Sequence, residues 1–302
     1  MIAPGEVAGA WSVAALELAA VAVWCVLYAA GARRLGPRLP RWRIAAFAAG
    51  MGVLVLCVVS PLDALAETLF GAHMLQHVLI TDVAAPLALA GVTGAMLRPL
   101  LAQRGVLRLR VLSHPMVALP LWTVLTVVWL LPPLYALQLA DPVLHALAHG
   151  TFFAAGLVLW APIIEPLPAP TWFGTPQKLV YLAALWVVGL IIANVYWFSG
   201  TVFYPDHVEG ARLWDITPLQ DQANGGTVMM LAMLLLVGLL ATTMFFRWAR
   251  ESELSQELIE MGHDREAVQR AVRFGRGEQL RDRGVDGTPD ATDGAEHSTA
   301  PL

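Results

Sequence analysis

Charge is scarce in this chain: Asp, Glu, Lys and Arg make up only 14% of its 302 residues. Soluble domains carry about 25%, so an ordinary water-soluble globule is excluded. The net charge of −4 excludes the cationic surface that nucleic-acid binding needs. There are two cysteines, Cys25 and Cys57, in different apolar segments and without CxxC spacing. That points away from a thiolate metal centre and toward buried thiols acting as small hydrophobes. The opening run MIAPGEVAGAW lacks the basic n-region of a signal peptide, so the first apolar stretch is expected to stay as a membrane helix.

What is present is apolar. Hydrophobic residues form 57% of the chain, and the mean hydropathy of +0.62 is that of a polytopic membrane protein. A spanning helix needs about 20 mostly apolar residues. Seven segments meet that length within a few residues: 11–31, 43–60, 71–92, 116–133, 143–164, 178–199 and 220–247. The expected fold is therefore an all-α membrane bundle of seven transmembrane helices.

Arginines set the expected orientation. Arg33, Arg34, Arg38, Arg41 and Arg43 follow span one, Arg98, Arg104, Arg108 and Arg110 follow span three, and Arg247 and Arg250 follow span seven. The alternate links carry Asp63, Glu67, Asp141, Asp206, Glu209 and Asp215, with Arg212 their one cation. Positive links stay in the cytoplasm, which puts the N-terminus outside and the C-terminus inside. Cys25 then lies near the inner end of its helix and Cys57 near the outer end of its own, so no disulfide is expected. Residues 1–248 read as the membrane domain and 249–283 as a charged cytoplasmic helical segment. The Gly/Asp/Thr-rich tail, 284–302, reads as disordered.

Two histidine pairs stand out, His73/His77 in AHMLQHVL and His145/His149 in LHALAHGT. Residues four apart share one helix face, so both rings of a pair can reach one ion. Both pairs open outside-to-inside spans, and Asp221 with Gln222 opens a third, span seven, at the same depth. Four neutral imidazoles in a low-dielectric region are costly unless each finds a donor, acceptor or ion. A metal meets several of those needs at once, while interhelical hydrogen bonding is the plainer reading of a membrane histidine. A zincin is excluded, because Met74 and Ala146 stand where HExxH needs its glutamate. An i, i+4 pair is also too close for two stacked haems, though one histidine from each helix can still ligate a single haem.

Other intramembrane polar groups read separately. Asp82 lies about 16 Å below the start of span three by helical rise, where an ionisable group is either functional or neutralised by a neighbour. Glu17 reads as structural, Asn194 as helix glue and His114 as a cap or an interface residue. Met229, Met230 and Met233 are either packing residues or thioether donors for Cu(I). His263 and His297, in the C-terminal region, receive no metal role.

The ordered segments SPLDALAETLFGAHMLQHVLITDVAAPLALAG, SHPMVALPLW, WLLPPLYALQLADPVLHALAHGTFFAAGLVLW and PLQDQANGG resemble the multi-span CtaG family of cytochrome c oxidase assembly proteins, over about residues 10–248. The resemblance implies a multi-pass bacterial plasma-membrane protein needed to build an aa-type haem–copper oxidase of the respiratory chain. Its implied partners are the oxidase subunits, other copper chaperones and the lipid bilayer. The motif residues that carry over are His73, His77, His145, His149, Asp221 and Gln222. Two positions depart from the family pattern. Leu130 follows Trp129 where an aromatic–His–x–Pro element is expected, and Asp82 stands where an apolar residue is usual.

The leading expectation is a non-enzymatic assembly factor holding copper through His73, His77, His145, His149 and Asp221, close to the outer face. The rivals are a seven-span zinc hydrolase of the ceramidase and adiponectin-receptor type, with zinc activating water, and a copper permease.

Overall fold

The computed structural model describes residues 1–101, 108–167, 170, 172–273 and 276–282. Arg104, His297 and the 284–302 tail lie outside the described residues. Among the described residues there are helices and no strand. The larger helices are α1 (Ala15–Leu35), α2 (Arg41–Val59), α3 (Pro61–Thr68), α4 (Phe70–Gly91), α5 (Gly94–Leu101), α6 (Pro115–Trp129), α7 (Pro132–Ala140), α8 (Pro142–Ile164), α9 (Thr175–Phe198), α10 (Val208–Leu213), α11 (Pro218–Glu260), α12 (Arg265–Arg273) and α13 (Gly277–Asp282).

Six helices are long and apolar enough to cross a membrane, and the pair α6–α7 makes a seventh span if it is counted as one. The protein is a multi-pass membrane protein. The α6–α7 pair is bent rather than straight: the two helices meet at 69°. The cause is local. Leu131 precedes Pro132, and the proline ring pushes Leu131 out of the α region to ψ 129°. Both cysteines are free, Cys25 exposed and Cys57 buried.

Two compact units divide the chain, Met1–Leu239 and Leu240–Leu302. The helix α11 spans 43 residues, about 65 Å at 1.5 Å per residue. The charged segment expected from 249 onward is helical at its start, through Glu260. Within the second unit Leu258 and Val268 are fully buried, and Gly277 lies against Leu254 and Val272.

In the first unit α4 is the central helix. Two thirds of its spanning window (67%) is buried, against 6% for α1. Small residues let its neighbours approach at backbone distance, as membrane helices require where apolar burial drives little association. A Cβ on Gly50 of α2 would stand 2.6 Å from the Ala88 nitrogen, and one on Gly156 of α8 would stand 2.6 Å from the Thr81 carbonyl oxygen. Gly156→Val is expected to force α8 from α4 and cost about 3 kcal/mol, measured as a lower unfolding midpoint of the purified protein. Arg43 closes the C-terminal end of α4, its Nη1 donating to the carbonyls of Ala90 and Val92 at 2.9 and 3.0 Å.

The helix α4 is not a uniform α-helix. Leu79–Ala84 forms a wider, π-helical turn. Pro86 follows, and it lacks the N–H that would reach the Asp82 carbonyl while its ring crowds that same oxygen. The turn changes which way Thr81 and Asp82 face relative to His77.

Candidate metal centre

Both histidine pairs sit in the first turns of their helices, and the two helices are started differently. Asp141 caps α8 itself, its Oδ1 accepting from the nitrogens of Val143 and Leu144 at 2.7 and 3.1 Å. Pro142 at the first helical position fixes the start. In contrast, α4 has Leu69 at its N-cap, with no side chain to accept from the free N–H groups. Asp221 of α11 supplies the missing acceptor across the bundle. Its Oδ2 accepts from Phe70 N at 2.7 Å and its Oδ1 from Gly71 N at 3.0 Å. The carboxylate also faces the positive end of the helix dipole. Asp221 thus fixes the height and rotation of the helix that carries His73 and His77.

The four imidazoles form a compact cluster. Ring centroids lie 4.3 Å apart for His73–His77 and 4.4 Å for His145–His149. Across the two helices they lie 5.7 Å apart for His73–His145 and 5.8 Å for His77–His149. Spans three and five therefore bring the sequence-predicted histidines together. The rings meet edge to face, at 76–90°. As they stand, no group of three or more His, Cys, Asp or Glu side chains among the described residues is arranged to hold one metal ion.

Burial makes this cluster chemically demanding. His73, His77 and His149 are buried at 0%, 5% and 2% exposure, and none of their six ring nitrogens has a hydrogen-bond partner among the described residues. Each unpaired buried polar group costs about 1–3 kcal/mol. His145 is half-buried and forms the more open side of the cluster. His149 Nδ1 lies 3.9 Å from Glu17 Oε1, too long for a hydrogen bond but close enough to orient the ring.

A fifth imidazole joins from a link that gave no signal in the sequence. His207, just before α10, has its ring 6.2 Å from that of His73. The hydroxyl of Tyr135 and Nε2 of His207 share a hydrogen bond of 2.7 Å, and the Tyr135 ring lies 4.9 Å from His73. Burial holds the His207 imidazole below its ordinary pKa, so the ring stays neutral and available as a donor or acceptor. Gln222 holds the adjoining link: its Oε1 accepts from Phe203 N at 2.9 Å and its Nε2 donates to the Thr201 carbonyl at 3.1 Å. Neither Tyr135 nor His207 has helical spacing to another histidine, so only the fold reveals them.

The position of the missing fourth-span histidine is now defined. The Leu130 side chain is buried in an apolar cluster with Phe70, Met74, Tyr135 and Tyr204, and its carbonyl accepts from the Tyr204 hydroxyl at 2.7 Å. Gln76 stabilises the cluster's other flank, its Nε2 donating to the Cys57 carbonyl at 2.8 Å and to Asp63 Oδ1 at 3.0 Å. His114 caps α6, as expected, accepting from Met116 N through its ring nitrogen at 3.3 Å. Asn194 donates to the Leu190 carbonyl of its own helix at 2.7 Å.

No curated protein and no solved structure matches the chain. The family model described as cytochrome c oxidase caa3 assembly factor matches residues 26–251, which contain both histidine pairs, Asp221 and His207. The chain belongs to the family of cytochrome c oxidase caa3 assembly factors.

Proposed function

We propose that this assembly factor binds copper as cargo at the histidine cluster and delivers it to the oxidase it helps to build. His73, His77, His145 and His149 are the ligands, and Asp221 assists by holding α4 in place. The observation that carries the reading is the set of six unpaired ring nitrogens on three buried imidazoles beside a fourth, half-exposed one. Folding accepts that cost, and a cation that turns the nitrogens inward removes it. Imidazole suits both copper and zinc; the choice of copper follows from the task, because a haem–copper oxidase must be loaded with that metal.

On the positive-inside reading the C-terminal ends of α1 and α4 lie in the cytoplasm and the N-terminus lies outside a bacterial plasma membrane. The cluster then faces the side from which the oxidase's dinuclear copper centre is loaded, so the ion need not cross the bilayer. The role is non-enzymatic. Asp221 does not serve the hydrolase rival in proton transfer, because its carboxylate is engaged by two backbone N–H groups.

Metal analysis of the purified full-length protein tests the reading. Stoichiometric copper, retained against zinc competition and without lipid amidase turnover, supports it; stoichiometric zinc with turnover replaces it by the hydrolase. Glu17→Gln removes the charge beside His149 Nδ1. It is expected to weaken copper binding about tenfold, in the manner of a carboxylate that orients a ligating imidazole, as read by competition titration with a chromogenic chelator.

A further inference from the structure

Beyond His77, deeper in the span, the first unit contains a cavity of about 30 Å³, room for about two water-sized occupants. His77, Asp82, Trp122, Thr126, Met229 and Met233 line it. Asp82 Oδ1, Trp122 Nε1, Thr126 Oγ1 and both His77 nitrogens have no hydrogen-bond partner among the described residues. Asp82, Trp122 and Thr126 are each exposed by 4% or less. The cavity surface is mostly apolar, and the unpaired polar groups sit just behind it, each having lost its hydration without recompense.

Two features of the chain build the cavity. The π-helical turn Leu79–Ala84 carries Asp82, and such turns concentrate at functional sites. On α11, Asp221, Gly225, Met229 and Met233 recur every four residues and form one stripe toward α4 and its surroundings. Asp221 binds the start of α4. A Cβ on Gly225 would collide with Phe70. Met229 and Met233 reach the cavity wall, and Gly189 of α9 leaves space for the Met233 thioether, whose Sδ would lie 3.4 Å from a Cβ there. Packing accounts for two buried methionines but not for the unpaired Asp82 Oδ1 and His77 nitrogens beside them.

We propose that this cavity is a second cation site, for a soft monovalent ion of the Cu(I) type, held by the thioethers of Met229 and Met233 with His77 and Asp82. Thioether and imidazole donors favour Cu(I) over hard cations. One carboxylate and one monovalent ion leave the site neutral, whereas a divalent ion would leave a net charge in the low-dielectric interior. His77 lines both the cavity and the histidine cluster, so it is the shared ligand through which the two sites communicate. The proposal rests on the copper reading above for its choice of cation.

The test uses full-length protein in lipid nanodiscs, titrated with Ag(I) as a redox-inert substitute and loaded with Cu(I) under anaerobic reducing conditions for X-ray absorption. Wild-type protein is expected to show sulfur scatterers around Cu(I). Met229→Leu/Met233→Leu, nearly volume-conserving, is expected to lose that shell and weaken Ag(I) binding at least about tenfold, with its unfolding midpoint unchanged. Asp82→Asn is expected to weaken Ag(I) about tenfold while keeping the sulfur shell. His73→Ala/His145→Ala, which leaves His77 intact, is expected to retain the shell. If the double methionine variant fails to fold, Met233→Leu alone reads the same loss at lower sulfur amplitude. Copper bound through nitrogen alone in the wild type, or Ag(I) binding unaltered by the methionine substitutions, overturns the second site and leaves the histidine site standing. Full copper binding in His73→Ala/His145→Ala, with the sulfur shell intact, has the opposite meaning: the soft site stands and the histidine cluster falls.

Discussion

His77→Ala/His149→Ala protein is expected to accumulate in the membrane like the wild type, to bind copper at least about 100-fold more weakly, and to leave the oxidase unloaded. The pair takes one ring from each helix, 5.8 Å apart by centroid, so each i, i+4 pair loses a member and only His73 and His145 remain across the α4–α8 interface. Loss of one orienting carboxylate beyond a metal's ligands costs about 10–100-fold, and removing two ligands costs at least as much. Stability should not suffer in proportion, because neither ring makes a hydrogen bond that the substitution breaks. What is lost is packing, including the His77 ring stacked 4.0 Å from Phe152. Copper affinity falling while the unfolding midpoint holds is the signature of a binding site; both falling together is that of interhelical packing. Chelator competition and thermal unfolding on one preparation separate the two.

Asp221→Ala is expected to behave the other way, as a folding defect first. Its carboxylate accepts two buried backbone N–H bonds at 2.7 and 3.0 Å. Hydrogen bonds to a charged group contribute about 1.5–3 kcal/mol each, so truncation should cost about 3–5 kcal/mol and lower the unfolding midpoint by about 10 °C. Asp221→Asn keeps one acceptor oxygen and should lose about half as much. Copper affinity of the folded fraction of Asp221→Asn separates anchor from ligand. Affinity within a few-fold of wild type makes Asp221 the residue that positions His73 and His77, and a loss of 100-fold or more makes it a ligand.

The two roles show what could be read from the chain and what could not. The spans were legible in hydropathy, because a bilayer imposes length and composition on each helix separately. Matched depth of His73/His77 and His145/His149 was also legible, since helical spacing and a shared direction of travel determine it. Asp221 was visible as a carboxylate at that depth. That it serves α4 required knowing that Leu69 leaves the helix uncapped and that α11 passes beside it, which is a tertiary fact. His207 and Tyr135 come from a link and from a helix bent away by Pro132, and no periodicity connects them. The cavity around Asp82 depends on a π-helical turn that Pro86 favours but does not by itself specify. Leu130 is the converse case: the family resemblance implied an imidazole there, and the structure fills the place with apolar packing.

The central claim is that the four histidines carry copper to the oxidase. The most direct measurement is the copper content of oxidase purified from a deletion strain complemented with wild-type protein or with His73→Asn/His77→Asn/His145→Asn/His149→Asn, each at equal membrane abundance. Copper-replete oxidase with the wild type and copper-depleted oxidase with the variant is the predicted result. Oxidase of equal copper content from both strains would contradict it.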